Sequence, residues 1–251
     1  MCGGLLAVES ANVVGYQTRS MIGDGDQLME SYSGGPVFKA TGSTGATYTL
    51  KDFTANGMDV SADGIQFLDP DTTETYLTAT YADADNYAAG WVGWWDYDDL
   101  GGTRLDGEDA DEFASCTAFL GLFASGNEIG FTFSGEVEKG TKEVTMTTES
   151  PFVCNPQPAD LTLENVIAEG MDVSADGFQF LDPFTTETVL TATYANEADY
   201  GAGWKGWWDY DDLGGTRIDD TDLPAGQGLL GMIASGNEVT LTFDAVLPEN
   251  N

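Results

Sequence analysis

The sequence predicts an all-β chain, built as two tandem, homologous β-sandwich domains preceded by an N-terminal strand. Three observations predict it. A long segment is present twice, apolar and polar residues alternate over short runs, and turn-forming residues recur every ten residues or so.

The duplication sets the frame. Residues 57–106 laid on residues 170–219 match at 40 of 50 positions. The shared text includes "GMDVSADG", "QFLDP", "LTATYA" and the stretch "GWWDYDDLGGTR", which occupies 93–104 and again 206–217. After a change of spacing the likeness resumes, with "FLGLFASGNEIGFTF" facing "LLGMIASGNEVTLTF". Each unit is about 110 residues, an ordinary domain size. The division is residues 1–26 as an N-terminal strand segment, 27–139 as the first repeat and 140–251 as the second.

The elements follow in order. Leu5, Leu6 and Val8, then Val13, Val14 and Tyr16, have strand character and precede the first repeat without an obvious partner in it. "YTLKDF" and "IQFLDP" read as short strands, with Pro70 and Pro183 as stops. In "TETYLTATYA" alternation puts Leu77, Ala79 and Tyr81 on one face and Tyr76, Thr78 and Thr80 on the other. The one segment with helical character in the first repeat is short, around 82–89. "FLGLF" is apolar on both faces and suits a central strand. Ser-Gly-Asn then supplies a hairpin turn. The returning strand points Ile129, Phe131 and Phe133 inward, as do Val239, Leu241 and Phe243 in the second copy. "EVTMTT" opens the second repeat as a strand.

Composition bounds the function. Acids number 43 against 8 bases, histidine is absent, and the net charge is −35. Such a field repels nucleic acid and anionic membrane surfaces, so neither is expected as a partner. It attracts cations, and high ionic strength or seated divalent ions make it tolerable. No stretch reaches the roughly 20 apolar residues of a membrane span. Cys2, Cys116 and Cys154 are the disulfide candidates. Their odd number leaves one thiol for another chain, and without histidine or a C-x-x-C pair a zinc site is not expected. Nor is catalysis: no imidazole is present to activate Cys116 or Cys154, and no G-x-S-x-G or P-loop occurs.

The repeated aromatic-acidic stretch carries three readings. In the first, Trp91, Trp94 and Trp95, with Trp204, Trp207 and Trp208, plug the end of each sandwich, and Asp96 or Asp98 clamps Arg104. In the second, Asp96, Asp98 and Asp99, with Asp209, Asp211 and Asp212, are hard oxygen ligands for Ca²⁺, although no D-x-D-x-D-G loop is present. In the third, exposed indoles stack on sugar rings while carboxylates take hydroxyl hydrogens.

"SANVVGYQT", "SPFVCNPQPADLTLENV", "QFLDP", "GWWDYDDL" and "AGQGLLGMIASGNEVTLTF", in that order, resemble a group of secreted bacterial proteins of unassigned function. Their mature chains similarly begin A-N-x-V-G-Y and carry a duplicated β-rich unit. The resemblance implies export and a place outside the cell or on its surface, and it assigns no functional residue. With it, the reading is a secreted, self-associating structural subunit of an extracellular filament or surface assembly, its N-terminal segment donated to a neighbour's sheet. The alternative is a secreted tandem carbohydrate-binding module that uses the Trp/Asp loops.

Overall fold

Alternating runs too short for a helix, separated by Gly, Asn and Asp, leave sheets as the way to satisfy the backbone. The computed structural model describes residues 13–22, 33–34, 47–100, 102–107, 111–114, 117–137, 140–149, 151–181 and 187–244. In that part the chain is all-β. The strands of the first half are β1 (Val13–Ile22), β2 (Ser33–Gly34), β3 (Thr47–Tyr48), β4 (Phe53–Asn56), β5 (Asp63–Leu68), β6 (Thr75–Ala82), β7 (Gly93–Asp96), β8 (Phe113–Ala114), β9 (Phe119–Phe123) and β10 (Glu128–Val137). Those of the second are β11 (Lys142–Met146), β12 (Phe152–Cys154), β13 (Leu161–Thr162), β14 (Val166–Glu169), β15 (Asp176–Leu181), β16 (Thr188–Ala195), β17 (Gly206–Asp209), β18 (Asp222–Leu223), β19 (Gly228–Ile233) and β20 (Val239–Phe243). One short helix, α1 (Glu197–Tyr200), lies between β16 and β17.

The two halves share one topology. Sheet orders β1-β10-β4, β2-β9-β5-β6-β7 and β3-β8 recur as β11-β20-β14, β12-β19-β15-β16-β17 and β13-β18. Register repeats too: Tyr81 faces Trp94 across β6 and β7, and Tyr194 faces Trp207 across β16 and β17. Even the irregularity recurs, between Phe67 and Leu68 and between Phe180 and Leu181. The Ser-Gly-Asn turns form in both halves, with Gly126 at φ 74° and Gly236 at φ 75°, a region that suits glycine. The expected hairpin does not: each turn carries the chain from the five-stranded sheet (β9, β19) to the three-stranded one (β10, β20), so the two strands it joins do not pair.

Each half fills its own apolar cluster. Phe53, Phe67, Trp94, Phe119, Phe131 and Phe133 centre the first; Val166, Phe178, Trp207, Leu229, Leu241 and Phe243 centre the second. The inward faces expected of β10 and β20 are buried. Two buried carboxylates tie the turns together. Asp63 accepts hydrogen bonds from the backbone N–H groups of Asp59 (2.8 Å), Ala124 (2.9 Å) and Ser125 (3.0 Å). Asp176 accepts from the N–H groups of Asp172 and Ser235 and from the Ser235 hydroxyl.

A smaller cluster joins the halves: Ala118, Phe152, Cys154 and Leu181, with Leu68, Leu120 and Leu230 packed against it. There the Ala118 N–H donates to the Phe152 carbonyl at 3.0 Å. Cys154 is buried in this junction, while Cys2 and Cys116 lie outside the described residues.

Three further expectations change. The helix expected around 82–89 is a series of turns, in which the Asp83 carboxylate accepts from the N–H groups of Asp85 and Asn86. Its counterpart α1 is helical for one turn, capped by Asn196 and ended by Gly201 at φ 85°, where the first copy has Ala88. Second, the N-terminal strand has a partner in its own repeat: β1 pairs antiparallel with β10 from Val13↔Val137 to Ile22↔Glu128. Val13, Val14 and Tyr16 therefore hold the place that β11 holds against β20, whereas Leu5, Leu6 and Val8 lie outside the described residues. Third, Arg104 pairs with a different acid, as described below. No described helix is long and apolar enough to cross a membrane.

Candidate functional site: the paired-tryptophan clefts

The stretch 93–106 folds back on itself. β7 runs out, a turn reverses the chain, and Arg104 bridges antiparallel to Trp95. Arg104 and Asp106, two residues apart in an extended segment, then share one face. The guanidinium donates from Nε to Asp106 Oδ1 (2.8 Å) and from Nη2 to the Val92 carbonyl (2.8 Å), and it lies 5.3 Å from the centroid of the Trp95 ring. Asp106 also accepts from the Trp94 N–H at 3.2 Å. Gly93 (φ 135°) is required here, because a Cβ would strike Arg104 and Asp106. The second copy repeats the arrangement with Arg217 bonded to Asp219 and set over Trp208. The clamp thus uses Asp106 and Asp219 rather than Asp96 or Asp98.

The three indoles of each copy have different fates. Trp94 and Trp207 are core residues; their Nε1–H groups donate to the carbonyls of Phe53 (2.9 Å) and Val166 (2.7 Å). Trp95 and Trp208 are largely buried, each donating to the carbonyl of the tryptophan four residues earlier at 2.7 Å. Trp91 and Trp204 stand 48% and 46% exposed. The ring pairs Trp91–Trp95 and Trp204–Trp208 have centroids 5.3 and 5.2 Å apart, tilted by 38° and 41°.

Around Trp91 and Trp95 lies a cleft of about 330 Å³, completed by Val60, Ala82, Asn86, Tyr87, Ala88 and Leu100. Its walls are mostly apolar, with the Tyr87 hydroxyl engaged by the Val60 N–H. Asn86 is held by Asp83: the carboxylate can only accept, so the amide nitrogen faces it, Nδ2 to Oδ2 at 3.0 Å. Burial disfavours the Asp83 carboxylate, yet bonds from Gly57, Asn86 and Asp85 together hold its carboxyl below the usual carboxylate range.

Four of the six acids expected to ligate an ion accept hydrogen bonds within the turn. Asp96 accepts from the Asp98 N–H (2.9 Å) and Asp99 from the Thr103 hydroxyl (2.8 Å). Asp209 and Asp212 do the same for the Asp211 N–H and the Thr216 hydroxyl. Among the described residues no three acidic or thiol side chains converge to hold a metal. Sequence reasoning named all six tryptophans but not Asp83, Asn86, Tyr87, Asp106 or Leu100. Leu100 and Leu213, exposed apolar residues at the same place in both copies, were a usable signal.

No protein-family model matches the chain, and no curated protein or solved structure matches it at a significant level.

Proposed function

We propose that the chain is a non-catalytic binding protein of two homologous β-sandwich modules, each presenting a paired-tryptophan cleft to one unit of an uncharged polysaccharide. The one-to-one correspondence of strands supports the two-module reading. The observation that carries the function is the half-exposed Trp91 beside Trp95 in an apolar cleft, present again as Trp204 beside Trp208. An indole face takes the C–H face of a pyranose, and a few placed polar groups set orientation. The −35 charge disfavours an anionic polymer, which fits an uncharged ligand. Two half-exposed indoles on one chain suit a repeating ligand, where the second contact gains from the effective concentration set by the first.

Pull-down on insoluble neutral polysaccharides tests this reading. Wild-type protein is expected in the pellet, and the double variant Trp91→Ala, Trp204→Ala in the supernatant, with about tenfold or more loss of affinity and an unchanged melting temperature. Equal retention of wild type and variant, or no retention on any polymer of the panel, overturns it.

Self-association is a second reading, favoured by the place of β1 as a ten-residue edge strand of its sheet. The strand of a neighbouring copy can take the same register by exchange. At about 1 M salt, where the screening length falls to about 3 Å, exchange predicts oligomers by light scattering that are lost when residues 1–22 are deleted. Strict monomers at every ionic strength end this reading.

A further inference from the structure

A short antiparallel contact crosses the junction of the two halves. Thr117, just ahead of β9, bridges to Val153 in β12, and the Ala118 N–H donates to the Phe152 carbonyl at 3.0 Å. Both contacts keep one register: a step forward on one segment is a step back on the other. Residues two apart on a strand share a face. Phe152 and Cys154 are such a pair, and both are buried with Ala118 in the junction cluster. Leu68 and Leu120 from the first half and Leu181 and Leu230 from the second complete that cluster. The residue that precedes Thr117 in the sequence is Cys116.

We infer that Cys116 and Cys154 are partners in a disulfide that staples the two halves together. Continued by one residue, the register that sets Ala118 against Phe152 and Thr117 against Val153 matches Cys116 with Cys154. Facing residues of an antiparallel pair have Cα atoms about 4.5–5.5 Å apart, inside the span of about 4.4–6.8 Å that a disulfide bridges. Alternation gives Cys116 the face of Ala118, the same buried face that holds Cys154. Cys2 is then the odd thiol of the three. The bond forms by exchange with a small disulfide such as oxidised glutathione. One protein thiolate attacks the reagent disulfide and displaces one glutathione thiol; the other attacks the mixed disulfide and displaces the second. Two protein thiols become one disulfide, and one reagent disulfide becomes two thiols. The bond closes a loop of roughly 40 residues that contains β9, β10 and β11, so it restricts the unfolded chain and keeps the halves from parting. An oxidising compartment preserves it, and a reducing one leaves two thiols.

The test uses the full-length chain, incubated with excess oxidised glutathione, alkylated, and run on a non-reducing gel. The monomer band is digested with trypsin without reduction. Cleavage after lysine and arginine puts the three cysteines in separate peptides, residues 1–19, 105–139 and 143–205. Mass spectrometry is expected to find 105–139 joined to 143–205. The oxidised protein is expected to melt about 5–10 °C above the same protein in dithiothreitol. Cys2→Ser is expected to keep that difference and Cys116→Ser to lose it; both variants leave the buried Cys154 in place. Peptide 1–19 joined to either of the others overturns the inference, as do three alkylated thiols after oxidation. So does a melting difference of the same size in Cys116→Ser.

Discussion

Replacing Trp94 with alanine is expected to destabilise the protein by about 3–5 kcal/mol, the range for deleting a large buried side chain, whereas Trp91→Ala is expected to cost less than about 0.5 kcal/mol, as an exposed substitution does. The contrast follows from the two environments. Trp94 is wholly buried, packs against Phe53 and Tyr81 with centroids 4.9 and 5.1 Å away, and satisfies the Phe53 carbonyl. Its removal leaves a cavity and a carbonyl without its donor. Trp91 is half-exposed; its ring lies beside that of Trp95, centroids 5.3 Å apart, and its backbone oxygen, which accepts from Trp95, survives the substitution. Urea midpoints measured at one salt concentration report both effects. Similar midpoints for the two variants would show that the assignment of Trp94 to packing and Trp91 to binding is mistaken.

Asp63→Ala is expected to cost about 3 kcal/mol, because three partly buried N–H groups lose their acceptor at about 1 kcal/mol each. Asp63→Asn is expected to cost about half of that, since one oxygen remains to accept while the new amide N–H₂ meets a donor. The comparison residue is Asp98, also acidic but exposed. In so anionic a chain, Asp98→Ala removes one repelling charge and is expected to be neutral or slightly stabilising at low salt. Thermal melting of the three variants distinguishes an acid that organises turns from one that only adds charge. A melting temperature for Asp63→Ala equal to that of Asp98→Ala would contradict the role given to Asp63.

Much of the fold was legible in the chain because its signals are local. Period-two runs placed Ile129, Phe131 and Phe133 in the core, and Ser-Gly-Asn placed a turn, although the strands it joins go to different sheets and form no hairpin. Alternation described only part of β6, where Thr80 and Ala82 on the opposite face are buried as well. That face is covered by tertiary neighbours, and no window of sequence contains them. The partner of Arg104 was misread for a related reason. Asp96 and Asp98 are near in sequence, but only the reversal of the chain after β7 shows that Asp106 shares the arginine's face. The acids proposed as ion ligands illustrate a third limit: nothing in the sequence tells that Asp96, Asp99, Asp209 and Asp212 accept hydrogen bonds within the turn. For the cleft, the tryptophans were visible in the sequence, but which of the three faces solvent was not, since "GWVGWW" does not distinguish core from surface.

The junction of the two halves has a consequence for the history and behaviour of the molecule. Leu68 and Leu120 from one half meet in it with Leu181 and Leu230, their own counterparts, from the other. A patch that packs against its own copy is what holds a two-fold homodimer together. Here the two partners are covalently fused, so their encounter is unimolecular and its local concentration is on the order of millimolar. A pair of separate chains would come apart on dilution, while this one keeps its two halves engaged at any concentration.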